Sequence, residues 1–263
     1  MMVYTTATAS WVFDTEGERV SVGDNAVLTI PDHSASGGWA IGGWFKVTNN
    51  TGTAYQYMLD WNYGANPAVY FYVSEDSQAD PDEGKSAVRD AGADEKLLTS
   101  TTAPIVNNTW IHILMVADGT NITLYIDGSS AATSSSTLVD AIDAATSMYF
   151  GDRNDTPASR NFVGKMAEWA KWDTELTATE IDQLSGTNGQ SLTAPNAIAT
   201  APAWYFAMDN DFSGNNYTSE TGSLTGVRSG AGVAFDINDH PWSITSGTSI
   251  PVIYRHLDQM KKK

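Results

Sequence analysis

Cysteine is absent from all 263 residues. That removes a disulfide framework, a thiolate metal site and a thiol nucleophile together. Basic charge is scarce as well: 14 Lys and Arg stand against 31 Asp and Glu, a formal net charge of -17 at pH 7. A field of that sign repels phosphate backbones and anionic membranes, so neither nucleic acid nor a membrane is an expected partner. Long apolar runs are missing, and no stretch approaches a membrane span. The opening, MMVYTTATASWVFDTEGERV, has no basic n-region and no long apolar h-region, so no secretory leader is expected there. No repeat of fixed period is visible.

What is present is strand text. In GGWAIGGWFKV, Trp39, Ile41, Gly43, Phe45 and Val47 share one face, and Ala40, Gly42, Trp44 and Lys46 the other. YQYMLDW predicts a strand with Tyr55, Tyr57, Leu59 and Trp61 together and Gln56, Met58 and Asp60 opposite. The stretch TWIHILMVADGTNITLYIDGS holds Ile111, Ile113 and Met115 on one face, with Trp110, His112, Leu114 and Val116 on the other. A strand apolar on both faces belongs near the middle of a sheet that is covered on both sides. Asp118-Gly119 and Asp127-Gly128 supply the turn positions of a hairpin.

One helix is signed. ELTATEIDQLSG offers Thr177 as N-cap with Glu180 three residues on, a Leu176–Ile181 staple, and Gly186 as terminator. Two polar stretches read as surface excursions: Ser74 to Lys96, and DGSSAATSSSTLVDAIDAATS. Past TAPNAIATAPAW the texture changes, with Pro195 and Pro202 bracketing a linker.

Three segments in order, ERVSVGDNAVLTIPDHSASGGWAIGGWFKV, TWIHILMVADGTNITLYIDGS and MYFGDRND…NFVGKMAEWAKWDTELTATEIDQLSG, resemble laminin-G-like members of the concanavalin A-like lectin/glucanase superfamily. The residues that carry the resemblance are Trp110, His112, Tyr125, Asp127, Gly128, Gly164, Glu168, Leu176, Glu180 and Ile181. It covers roughly residues 10 to 190. It implies an all-β fold, a two-sheet antiparallel jelly-roll sandwich with one short helix and a C-terminal extension. Residues 1-195 would form the sandwich. Residues 196-263 would either complete it or form a docking arm. AWYFAMDNDFSGNNYTSETGSL, Ala203 to Leu224, resembles text that family members carry at their first strand, so permuted strands and a separate arm both stay open.

The resemblance also says where chemistry would sit. Glucanases of the superfamily align paired acids on one strand, because retaining hydrolysis needs two carboxyls about 5 Å apart. Here Glu168 and Asp173 are five apart and fall on opposite faces of a continuous strand, so no enzyme activity is expected. Among the four histidines, His112 is expected as a hydrogen-bonded core residue, and His33 and His240 as turn residues. Calcium is the one cofactor the pattern admits: Asp152, Asn154 and Asp155 lie at a strand end, and Asp76, Asp80, Asp82 and Glu83 lie in the acidic stretch. A sugar would need an exposed ring beside amides, and Trp61 with Asn62, Tyr63 and Asn66 is the candidate. Trp39, Trp44 and Trp110 are expected in the core. The resemblance implies a non-enzymatic virion protein that decorates the head or tail of a bacterial virus. Such a protein would self-associate or dock on a capsid or tail protein, and could touch host glycans. The alternative is a carbohydrate-binding or adhesion module at a microbial cell surface. TSIPVIYRHLDQMKKK is expected as a strand with a charged tail, suited to docking.

Overall fold

The computed structural model describes residues 9–14, 17–23, 25–30, 37–48, 55–61, 68–74, 84–89, 95–100, 105–135, 147–153, 160–208, 215–229, 233–236 and 239–242. These residues form two antiparallel sheets of eight strands each. Sheet A runs, in spatial order, β10 (Ser129–Ser135), β9 (Asn121–Ile126), β8 (Ile111–Ala117), β3 (Trp39–Val47), β12 (Gly164–Trp172), β1 (Ser10–Phe13) and β16 (Ala234–Asp236). Its eighth strand, β13 (Trp204–Phe206), also pairs with β12. Sheet B runs β14 (Asn216–Thr218), β15 (Thr225–Ser229), β2 (Arg19–Val22), β11 (Met148–Phe150), β4 (Tyr55–Trp61), β5 (Ala68–Ser74), β6 (Gly84–Arg89) and β7 (Glu95–Thr99). The fold is an all-β sandwich with one short helix.

Alternation sets which side chains meet between the sheets. Trp39, Ile41, Phe45 and Val47 of β3 join Ile111, Ile113 and Met115 of β8 in the main core. The opposite faces of the same strands are apolar too, and they have their own cover. Ala40, Leu114 and Val116 pack in a second cluster with Leu176, Ile181, Leu184 and Ile198. Gly43 has no side chain for a steric reason, since a Cβ there would come within 2.5 Å of the Trp169 ring. That close approach seats Trp169 edge-on to Phe71, with ring centroids 5.5 Å apart, and leaves its Nε1–H to donate to the Trp44 carbonyl at 3.1 Å.

The cover over sheet A is the helix α1 (Ala178–Ser185). Thr177 Oγ1 accepts from the Glu180 N–H while the Glu180 carboxylate accepts from the Thr177 N–H, so the expected capping box is complete. Gly186 ends the helix in the left-handed region, at φ 66. The helix end packs on the β9–β10 turn, where a Cβ on Gly128 would meet Thr187 Oγ1 at 2.3 Å. The β8–β9 turn is held by Asp118, whose carboxylate accepts from the N–H groups of Thr120 and Asn121 at 2.8 and 2.6 Å.

Two polar stretches contain strands rather than surface excursions alone. Ser129–Ser135 forms edge strand β10, paired along β9, and Gly84–Arg89 forms β6, hydrogen-bonded between β5 and β7. An edge strand with an exposed face needs no apolar alternation, which is why SSAATSS carried no strand signal. The late segment supplies strands to both sheets. Trp204–Phe206 pairs with the second half of β12, while Ser10–Phe13 pairs with the first half along the same side. Thr225–Ser229 pairs with β2 in sheet B, and Ala234–Asp236 pairs with β1 in sheet A. The expected final strand in TSIPVIYRHLDQMKKK and its terminal lysines lie outside the described residues.

Candidate functional site

The expected sugar-stacking ring does not face solvent. Trp61 is fully buried in the main core, opposite Met148 of β11 and Val69 of β5. The reason is a bulge in β4 between Tyr57 and Leu59. A bulge inserts one residue and reverses the alternation beyond it. Tyr55 and Tyr57 therefore cluster with Tyr70 and Tyr72 outside the main core, while Met58, Leu59 and Trp61 lie within it. Asn62, Tyr63 and Asn66 lie outside the described residues.

Of the expected calcium ligands, Asp152 is described. It is fully buried past the end of β11, and its Oδ1 accepts from the Arg153 N–H at 2.7 Å. Calcium takes six to eight oxygens. One buried carboxylate does not make that shell, and no group of three His, Asp or Glu able to hold a metal occurs among the described residues. Asn154, Asp155, Asp76, Asp80, Asp82 and Glu83 lie outside them.

The acid that matched the resemblance, Glu168, sits on a second bulge, where β12 changes partner from β1 to β13. Its φ is 58, and its N–H donates to the Ala207 carbonyl at 3.2 Å. The carboxylate accepts from the Tyr205 hydroxyl on Oε2 and meets His240 Nε2 at 3.1 Å on Oε1. The Trp242 N–H donates to His240 Nδ1 at 3.2 Å. An accepting Nδ1 places the imidazole proton on Nε2, facing Glu168. His240 is thus a buried hydrogen-bonded residue and not a free turn residue. Asp173 is exposed beyond the end of β12 and pairs with Lys171, so β12 does not align the two acids.

Beside this network, Asp239 gathers the Nζ of Lys46 at 2.5 Å, the Nζ of Lys165 at 2.7 Å and the Trp110 Nε1–H at 2.8 Å. Burial pushes the Asp239 carboxyl up, but the hydrogen bonds from Lys165, Lys46 and Trp110 outweigh it and hold it at about 2. Trp110 is half-buried as a result rather than a core ring. His112 is buried as expected, its ring 5.2 Å from that of Trp44. These contacts lock residues 239–242 onto the outer face of sheet A.

The outer face of sheet B has a different chemistry. Tyr57 stacks on Tyr72 at 5.1 Å, and Tyr70 stacks on Tyr72 at 6.0 Å. Three arginines lie over tyrosines on this face. Arg19 is 5.0 Å from the Tyr149 ring centroid, Arg153 is 5.5 Å from Tyr57, and Arg160 is 5.0 Å from Tyr55. Arg160 is anchored by its backbone, whose carbonyl accepts from the Tyr57 N–H at 3.0 Å. All three arginines, with Tyr55 and Tyr149, are half-buried. Sequence reasoning missed this group. The tyrosines alternate visibly in AVYFYVS, but the arginines come from β2 and from segments flanking 154–159, which no local pattern joins.

Comparison with known proteins places the fold. The chain is similar in structure to a putative carbohydrate binding protein from Bacteroides ovatus, with a TM-score of 0.63, 16% identity, and coverage of 89% of this chain and 61% of that one. It thus spans less than two thirds of that protein's length. It is also similar to the heptameric SAP-like pentraxin of Limulus polyphemus, with a TM-score of 0.53, 14% identity, and coverage of 78% of this chain and 93% of that one. A third likeness is to the binding domain of botulinum neurotoxin serotype G, with a TM-score of 0.51, 13% identity, and coverage of 68% and 42%. At these identities the likeness concerns the fold. No curated protein sequence matches the chain. The Laminin_G_3 model matches residues 22–182, more than half of the chain, and the chain belongs to that family of the concanavalin A-like lectin/glucanases superfamily.

Proposed function

We propose that this protein is a non-catalytic carbohydrate-binding module of the kind used in adhesion or glycan capture. The observation that carries this reading is the lectin-like sandwich itself. It extends through the family's matched residues and overlaps most of the chain with a structure described as a putative carbohydrate binding protein. The state of Glu168 supports the non-catalytic part. It is 2% exposed and engaged by Tyr205 and His240, out of reach of a polymer that would have to touch it. Glycoside hydrolysis needs two accessible carboxyls flanking the bond. The role as a virion decoration protein rests on the sequence resemblance alone.

A glycan array, run with calcium and with a chelator, tests the reading. Saturable binding to a defined class of saccharide without release of reducing ends is the expected result. An array with no binding in either condition, or turnover of a polysaccharide that is lost in Glu168→Gln, overturns it. Binding that survives the chelator removes calcium from the account.

A further inference from the structure

We propose that the outer face of sheet B, around Arg19, Arg160, Tyr55 and Tyr149, binds a carboxylate-bearing saccharide such as a uronic-acid polymer. The inference deepens the carbohydrate-binding reading and rests on it. The chain has more than twice as many acids as bases, so its arginines have an excess of carboxylates to pair with. Arg19 and Arg160 do not use them. Each guanidinium lies over a tyrosine ring, and each has an Nη1 that is shielded from solvent and meets no hydrogen-bond acceptor. No described carboxylate bridges either one. A shielded donor without an acceptor costs free energy that the fold does not recover. An arriving carboxylate would supply the acceptor in the bidentate geometry that a guanidinium fork favours.

Position strengthens the case. Register puts Phe150 opposite Val20 on one side and Leu59 on the other, so β2 and β4 flank β11. Neighbouring strands are about 4.8 Å apart, which puts the Arg19 and Tyr57 backbones about 10 Å apart across the sheet. That span is on the order of two sugar rings. The half-buried Tyr55 and Tyr149 offer flat apolar surfaces for pyranose C–H faces, backed by the buried rings of Tyr57, Tyr70 and Tyr72, with the half-buried Arg153 beside Tyr57. Overall charge then selects among anions. At physiological salt the protein's field decays over about 8 Å, so local arginines decide short contacts. Dense polyanions such as nucleic acid or sulfated polymers are repelled more strongly than a chain with one charge per disaccharide.

The test uses the whole protein and hyaluronan oligosaccharides, in titration calorimetry, against the same oligosaccharides with their carboxyls reduced to alcohols. The wild-type protein is expected to bind the native form and to lose at least about tenfold in affinity for the reduced form. Arg19→Ala/Arg160→Ala is expected to lose the native form by a similar factor, and Arg19→Lys/Arg160→Lys to recover it only in part. The wild-type comparison stands even where a variant fails to fold. Equal binding of both forms, or tighter binding of dextran sulfate or DNA, overturns the inference and leaves the carbohydrate reading to the array. Absence of binding to both forms, with neutral glycans still captured on the array, overturns the inference alone. Absence of any glycan binding overturns both.

Discussion

The two outer faces of the sandwich solve the same problem differently. Each sheet has an outer face that the main core does not use. On sheet A the surface is sealed. Helix α1 and Ile198 cover it, with Tyr205 and Ala207 packed among them, and Asp239 and His240 fasten a further segment with ion pairs and buried hydrogen bonds. Asp239, Lys46, Lys165, Glu168 and His240 find partners there inside the fold, while the Trp242 Nε1–H is shielded without an acceptor. On sheet B the outer face holds the buried rings of Tyr57, Tyr70 and Tyr72, rimmed by half-buried Tyr55, Tyr149 and three arginines, and two of those arginines hold donors that no acceptor meets. The outer face of sheet A is closed by contacts within the chain; under the proposal above, the arginine–tyrosine rim of sheet B is where a ligand docks.

The contrast can be broken first at the core that both faces share. Trp169→Ala removes the ring that fills the space left by Gly43, and it should cost about 3–5 kcal/mol in denaturant unfolding. Gly43→Val should be comparably severe, since its Cβ would collide with that same ring. A loss below about 1 kcal/mol for either would show that the two sheets do not meet there as described.

The seal on sheet A comes next. Glu168→Ala leaves the Tyr205 hydroxyl and the His240 Nε2–H buried without their acceptor, and should cost about 3 kcal/mol. The same change should leave glycan capture by the residual folded protein intact, because sheet B is not involved. Asp239 adds a pH dependence. Its folded pKa, at about 2, lies below the ordinary value of 3.8, so the native state binds fewer protons than the unfolded one as acid is added. The stabilisation is present above about pH 4 and is lost as pH falls towards 2. Asp239→Asn should remove roughly 1–2 kcal/mol at neutral pH and flatten the melting temperature between pH 4 and pH 2, as read by calorimetry.

The smallest effects are local. Thr177→Ala should cost about 1 kcal/mol by removing the N-cap of α1. Arg19→Ala and Arg160→Ala should each cost less than about 1 kcal/mol, since a half-exposed cation–π contact contributes little to folding. Large losses from either arginine would make the tyrosine face a structural device and blunt the contrast with sheet A.

How much of this was legible in the sequence follows from where each signal is local. The capping box at Thr177 and Glu180 is a four-residue pattern, and it appears in the structure as read. The β3 and β8 strands were legible because both faces are apolar over uninterrupted alternation. Trp61 was misplaced because a bulge at Met58 reverses the phase of β4, and a bulge leaves no mark in YQYMLDW. Ser129–Ser135 was invisible because an edge strand of small hydroxyl residues lacks an apolar face. His240 looked like a turn residue because its partner Glu168 is 72 residues away. The arginine–tyrosine face was missed for the same reason: its members are distant in the chain and meet only through sheet pairing.

The most direct test of the contrast is a chemical-shift map of the isotopically labelled protein titrated with hyaluronan oligosaccharide. The account predicts that perturbed amides centre on β2, β4 and β11, with Arg19, Tyr55, Tyr149 and Arg160 among them, and that those of Trp44, His112 and His240 stay unmoved. Perturbations centred on Trp44, His112 and His240 would contradict it.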